Sequence, residues 1–119
     1  MKFKMLLIVG LCGLFACDKR NEQLKVSYAV ALTGGVSNSE VIYRDANGAL
    51  QTESLTGNWY KEFMVTSSSY TMFLRAKGNL TSGSIRLTAI GDKGGAANNN
   101  NRHYSATGPF DIQVESEIE

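Results

Sequence analysis

Residues 25–32 read KVSYAVAL. Val26, Tyr28, Val30 and Leu32 alternate with Ser27, Ala29 and Ala31. A period of two, with β-branched and aromatic residues on one side, is the mark of a strand with one buried face. No helical register collects those four side chains on one stripe, because a helix needs apolar residues three and four apart. This segment therefore sets the class of the fold, and its neighbours repeat the pattern.

Working outward, strand signals alternate with turn signals at intervals near ten residues. Residues 33–39 (TGGVSNS) are expected to form a loop, and 40–44 a second strand. Asp45-Ala46-Asn47-Gly48 is a tight turn, since Asn and Gly accept the positive φ that hairpins require. Residues 49–55 return as a third strand, and 59–66 form a fourth. On the fourth, Trp59, Lys61, Phe63 and Val65 share one face. Trp59 is the expected core anchor, on account of its size and its apolar side. After a turn at Ser67-Ser68-Ser69 come strands at 70–77 and 84–90, joined by a loop at 78–83. Residues 91–103 are rich in Gly and Asn and are expected to be a long loop. A last strand falls within 104–115, clearest at Phe110, Ile112 and Val114, and an acidic tail follows. About seven short strands without room for βαβ crossovers give an all-β, antiparallel, immunoglobulin-like β-sandwich over residues 25–115. A barrel of the same strands is the alternative.

The N-terminal residues carry an address. Lys2 and Lys4 precede the uncharged, apolar run 5–15, and Ala16 is small, as at a signal-peptide cleavage point. The run is short for a bilayer span, which takes about 17 residues or more. Leu14-Phe15-Ala16-Cys17 resembles the bacterial lipobox. The resemblance implies that residues 1–16 are removed and that Cys17 is the lipid attachment site. Residues 17–24 then become a lipidated Cys with a polar tether, and 116–119 the tail. Several acyl chains hold a small domain to a membrane where one would not. The expected location is the cell envelope, on the periplasmic or surface side, with the outer membrane favoured.

Processing would change the inventory. The 119 residues include 12 Lys+Arg, 11 Asp+Glu, two Cys and one His. Loss of Lys2 and Lys4 leaves ten basic residues against eleven acidic ones, and Cys12 departs while Cys17 is acylated. A near-neutral balance gives no footprint for nucleic acid. No cofactor and no multi-ligand metal site is expected. Catalytic candidates are few, so a non-enzyme is expected. His103 sits in the predicted loop, Ser67-Ser68-Ser69 lacks a nucleophile-elbow setting, and Asp45-Ala46-Asn47-Gly48 lacks the later ligands of a calcium loop. Asp111, Glu115, Glu117 and Glu119 would share one solvated strand face, and Arg75, Lys77 and Arg86 are expected near one another on outward faces. The loop residues Asn98, Asn99, Asn100, Asn101, Arg102 and His103 are the candidate partner contact, since exposed loops commonly carry binding.

One further pattern is familiar. Val26-Ser27-Tyr28-Ala29-Val30, then Tyr43-Arg44-Asp45-Ala46-Asn47-Gly48, then Asn58-Trp59-Tyr60-Lys61 are followed by Gly83-Ser84-Ile85-Arg86-Leu87 and a Gly91-Asp92-Lys93 turn. This order is similar to the MmpS family of mycobacterial membrane accessory proteins, over roughly residues 25–94. The resemblance implies a small β-sandwich outside the cytoplasmic membrane, partnered with an RND-type envelope transporter. MmpS proteins are held by a transmembrane helix, whereas this chain has a lipobox, and the Asn run has no counterpart in them. The alternative function is a surface-exposed ligand-binding or adhesin-like module, contacting glycans through 33–39 and 91–103.

Overall fold

The computed structural model describes residues 23–66 and 69–118. Eight strands follow one another: β1 (Leu24–Leu32), β2 (Val36–Arg44), β3 (Leu50–Leu55), β4 (Trp59–Val65), β5 (Tyr70–Leu80), β6 (Ile85–Lys93), β7 (Ala96–Tyr104) and β8 (Gly108–Ile118). They form two four-stranded antiparallel sheets, in the orders β4-β1-β6-β7 and β8-β5-β2-β3. The arrangement is a sandwich, not a barrel. Only the β2–β3 and β6–β7 connections stay within one sheet, and the others cross between layers.

The alternation seen in the sequence builds the core. β1 contributes Leu24, Val26, Tyr28 and Val30, and β5 contributes Tyr70, Met72, Leu74, Ala76 and Leu80. Ile85, Leu87 and Ala89 enter from β6, and Phe110, Val114 and Ile118 from β8. These are the central strands of their sheets together with one edge, and each fully buried aliphatic side chain stabilises by roughly 1.5–3 kcal/mol. No charged residue is buried among the described residues.

Several boundaries differ from the sequence expectation, each for a local reason. Among the described residues there are eight strands rather than seven, because residues 96–104 are β7 and not a loop. The β6 strand runs through Gly91, Asp92 and Lys93, and the reversal falls at Gly94-Gly95, both at positive φ. The expected acidic tail is strand to Ile118, because Val114 and Ile118 continue the buried alternation along β5. The loop expected at 33–39 is shorter. β2 starts at Val36, but a register shift between Ser37 and Glu40, with Asn38 at φ 47°, hides the alternation. Likewise Gly78, Asn79 and Leu80 belong to β5.

The expected turn at 45–48 is present and tightly tied. Gly48 N–H donates to the Asp45 carbonyl at 3.0 Å, and Gly48 has φ +86°. The Asp45 carboxylate accepts from Gln51 Nε2 and from the backbone N–H of Asn47 and Ala49. Those donors, Gln51 first, hold it below the usual carboxylate range. Its oxygens are thus employed in the turn.

Two tyrosines secure this turn from inside. β2 leaves the β5 ladder after Tyr43 pairs with Leu74. The next amide, Phe73 N–H, donates instead to the Tyr28 hydroxyl at 3.2 Å. Tyr28 in turn donates to the Arg44 carbonyl at 3.0 Å. Tyr70 shares its proton between the carbonyls of Arg44 and Asp45, at 2.7 and 2.8 Å. Burial pushes both phenols above the ordinary tyrosine range.

Candidate functional site

The residues singled out as a partner contact, Asn98, Asn99, Asn100, Asn101, Arg102 and His103, lie together on β7, but on a strand rather than a loop. β7 is the outer strand of its sheet and pairs with β6 over nine positions, from Lys93–Ala96 to Ile85–Tyr104, without a register shift. Paired residues of an antiparallel ladder point to the same face. Asn98, Asn100 and Arg102 lie opposite the buried Gly91, Ala89 and Leu87, on the inner side. Asn99, Asn101 and His103 lie opposite Ile90, Thr88 and Arg86, on the outer side.

β7 supplies no buried side chain on either face. Its asparagines bond mainly to one another. Asn100 Nδ2 donates to Asn98 Oδ1 at 2.7 Å on the inner side, and Asn101 Nδ2 to Asn99 Oδ1 at 3.2 Å on the outer side. Thr88 Oγ1 donates to Asn101 Oδ1 at 3.0 Å. The strand is thus held by its ladder to β6 and by these amide pairs, and its far side faces away from the sheet. Beside the β6–β7 hairpin lies an open crevice of about 520 Å³, lined by Lys93, Ala96, Ala97, Asn98, Glu117 and Ile118.

The opposite margin of the sandwich is closed by a polar cluster that the sequence pattern did not single out. Glu53 on β3 accepts from Trp59 Nε1 at 3.0 Å and from the Tyr43 hydroxyl at 2.9 Å, and it pairs with Lys61 at 3.0 Å. These donors, the indole first, hold the Glu53 carboxyl down to about 2. Lys61 also lies 5.5 Å from the centroid of the Tyr43 ring. The alternation of β3, with Leu55 buried, would have turned Glu53 inward and so foretold the cluster. Its chemistry is saturated. Each polar group already has a partner, so it seals the edge of the core and offers no free acid, base or nucleophile.

Trp59 accordingly packs at the margin rather than anchoring the centre. Its ring lies 5.3 Å from that of Tyr43, and its indole is half-buried. The largest fully enclosed side chain is Tyr28, whose ring contacts Tyr43 and Phe63.

The cationic trio does not assemble. Arg75 and Lys77 stand on the outer face of one sheet, and Arg86 stands on the outer face of the other. Arg75 makes a two-bonded contact with Asp111, and Lys77 pairs with Glu40 at 3.6 Å. Asp111, Glu115 and Glu117 do share the outer face of β8, where Asp111 is drawn to Arg75. Among the described residues no group of three or more His, Cys, Asp or Glu could hold a metal ion. No helix among them is long and apolar enough to cross a membrane. Cys17, the signal segment 1–16, most of the tether, Ser67, Ser68 and Glu119 lie outside the described residues.

Fold and site together define the class: among the described residues, an antiparallel β-sandwich of eight strands with one edge strand, β7, that buries no side chain fully. The chain matches no protein-family model, and no curated protein matches it.

Proposed function

We propose that the chain is a non-enzymatic, lipid-anchored protein of the cell envelope, fixed by Cys17. On this reading its sandwich serves as an MmpS-like accessory or interaction module for an envelope transport system. The observation that supports it is β7. Nine residues are ordered as a strand with no fully buried side chain, and only Tyr104 at its end packs against the core. Ordering backbone costs roughly 1–2 kcal/mol per residue, which apolar burial normally offsets. Apart from Tyr104, β7 has little of that return, yet it carries an open row of backbone donors and acceptors along its outer edge. An added strand from a partner satisfies such a row, with specificity from the flanking side chains. The glycan-binding alternative called on two loops, and residues 96–103 of the second are strand.

Two measurements test the proposal. Labelled palmitate should enter the wild-type protein and should not enter Cys17→Ala; an unlabelled wild type in a bacterial host contradicts the anchor. Crosslinking in intact membranes, followed by affinity isolation, should recover a partner through β7, whether another envelope protein or a second copy of this chain. Recovery of none above background contradicts the docking role.

A further inference from the structure

The four sheet edges are not equivalent. β3 is six residues long and turns Glu53 inward. β4 turns Lys61 inward. β8 carries Pro109 and the outward carboxylates Asp111, Glu115 and Glu117. Shortness, inward charge, proline and edge charge are the usual means by which proteins keep a free edge from pairing. β7 is nine residues long, holds no proline and no acidic residue, has its one inward charge, Arg102, near its end, and its ladder contains no bulge.

β7 is also complementary to itself. Run antiparallel to a copy about a two-fold axis through Asn100, all nine residues find a partner. Ala96 faces Tyr104, Ala97 faces His103, Asn98 faces Arg102, Asn99 faces Asn101, and Asn100 faces its own copy. The small residues thus oppose the bulky ones, and no two like charges meet. The asparagines form paired amides on both faces, the arrangement that stabilises stacked identical strands. Registers centred on Asn99 or Asn101 leave the strand ends unpaired. The full register also brings Arg102 opposite Asn98 of the copy, and Asn98 and Glu117 both line the crevice. Neither Arg102 nor Glu117 has an ion-pair partner among the described residues.

We infer that the occupant of the β7 edge is a second copy of this chain, an inference that rests on the docking role proposed for that edge. The two β4-β1-β6-β7 sheets then join into one continuous eight-stranded sheet. Because the contact is isologous, it closes at two subunits and consumes both open edges, so no fibre grows from it.

Disulfide trapping of the full-length chain in intact membranes tests this, with the parent protein as background for the native cysteines. Residues opposite each other in an antiparallel pair have Cα atoms about 4.5–5.5 Å apart, within the roughly 4.4–6.8 Å that a disulfide spans. Asn100→Cys should yield an oxidised band at twice the monomer mass. Asn98→Cys alone and Arg102→Cys alone should not, since each residue lies four positions from its own copy. The two co-expressed should restore the band. Thr52→Cys, on the β3 edge, should stay monomeric. A band from Asn100→Cys no stronger than that from Thr52→Cys overturns the inference. Adducts of Asn100→Cys with a different protein, and none with itself, also overturn it while leaving β7 a docking edge. The absence of any adduct at all three β7 positions overturns both.

Discussion

Tyr28→Phe removes a single oxygen from the interior of the sandwich, and its cost follows from the bonds of that oxygen. The hydroxyl donates to the Arg44 carbonyl at 3.0 Å and accepts Phe73 N–H at 3.2 Å. A net hydrogen bond contributes about 0.5–1.5 kcal/mol, and a buried donor left without a partner costs about 1–3 kcal/mol. Phe73 N–H becomes that donor, because β2 has already left the ladder at Tyr43. The Arg44 carbonyl keeps Tyr70 as a partner. The expected loss is therefore about 2–3 kcal/mol, or roughly 10 °C or more in Tm for a domain of this size. Tyr70→Phe should cost less, about 1 kcal/mol, because the Arg44 carbonyl keeps the Tyr28 hydroxyl and the Asp45 carbonyl keeps Gly48 N–H as donors. Both hydroxyls serve Arg44, so the double substitution should depart from the sum of the single ones. Urea titration followed by fluorescence of the single tryptophan, Trp59, measures all three. A loss below about 0.5 kcal/mol for Tyr28→Phe, or a larger loss for Tyr70→Phe, refutes this account of the turn.

Glu53→Gln should change the acid limb of stability. The carboxyl moves from 4.5 unfolded to about 2 folded. Its contribution is therefore complete above pH 4.5 and is lost as pH falls toward 2, so wild-type stability should decline across that window and the variant's should decline less; parallel profiles would contradict the cluster. Two glycines separate strain from collision. Gly48→Ala meets open space at φ +86° and should cost only the conformational penalty, about 1–2 kcal/mol. At Gly78, with φ +154°, a Cβ would meet Ser39 Cα at 2.6 Å and Ser39 Oγ at 2.0 Å, so Gly78→Ala should be clearly the worse in the same urea titration. Equal losses would mean that the β2–β5 contact yields easily.

The sheets were legible in the sequence where one face is buried. The period of two in 25–32 and in 70–77 survives intact as β1 and β5, because those strands lie in the middle of their sheets and the core sorts their side chains. β7 was not legible for the opposite reason. With asparagine and arginine on its inner side it has no apolar alternation, and asparagine is depleted in strands, so composition alone gives a loop. Asn98, Asn99, Asn101, Arg102 and His103 are exposed and Asn100 is half-buried, all on a strand where the composition gives a loop. Glu115 and Glu117 give the C-terminal residues the composition of a polar tail, although Ile118 packs into the core. Trp59 was overvalued by size, because its indole N–H needs a polar partner and finds one in Glu53 at the margin. Tyr28 could enter the centre because its hydroxyl meets backbone groups at the end of the β2 ladder.

The central claim is that the outer edge of β7 is occupied by another strand when the protein is in its membrane. Amide hydrogen exchange over residues 96–104 measures this most directly. Alternate amides of an edge strand point away from their ladder, so about half of those in β7 have no bond to β6. With the edge occupied, the whole segment should exchange slowly, at rates like those of β6. Exchange of that outward half at the rate of an exposed loop, in intact membranes, would contradict the account.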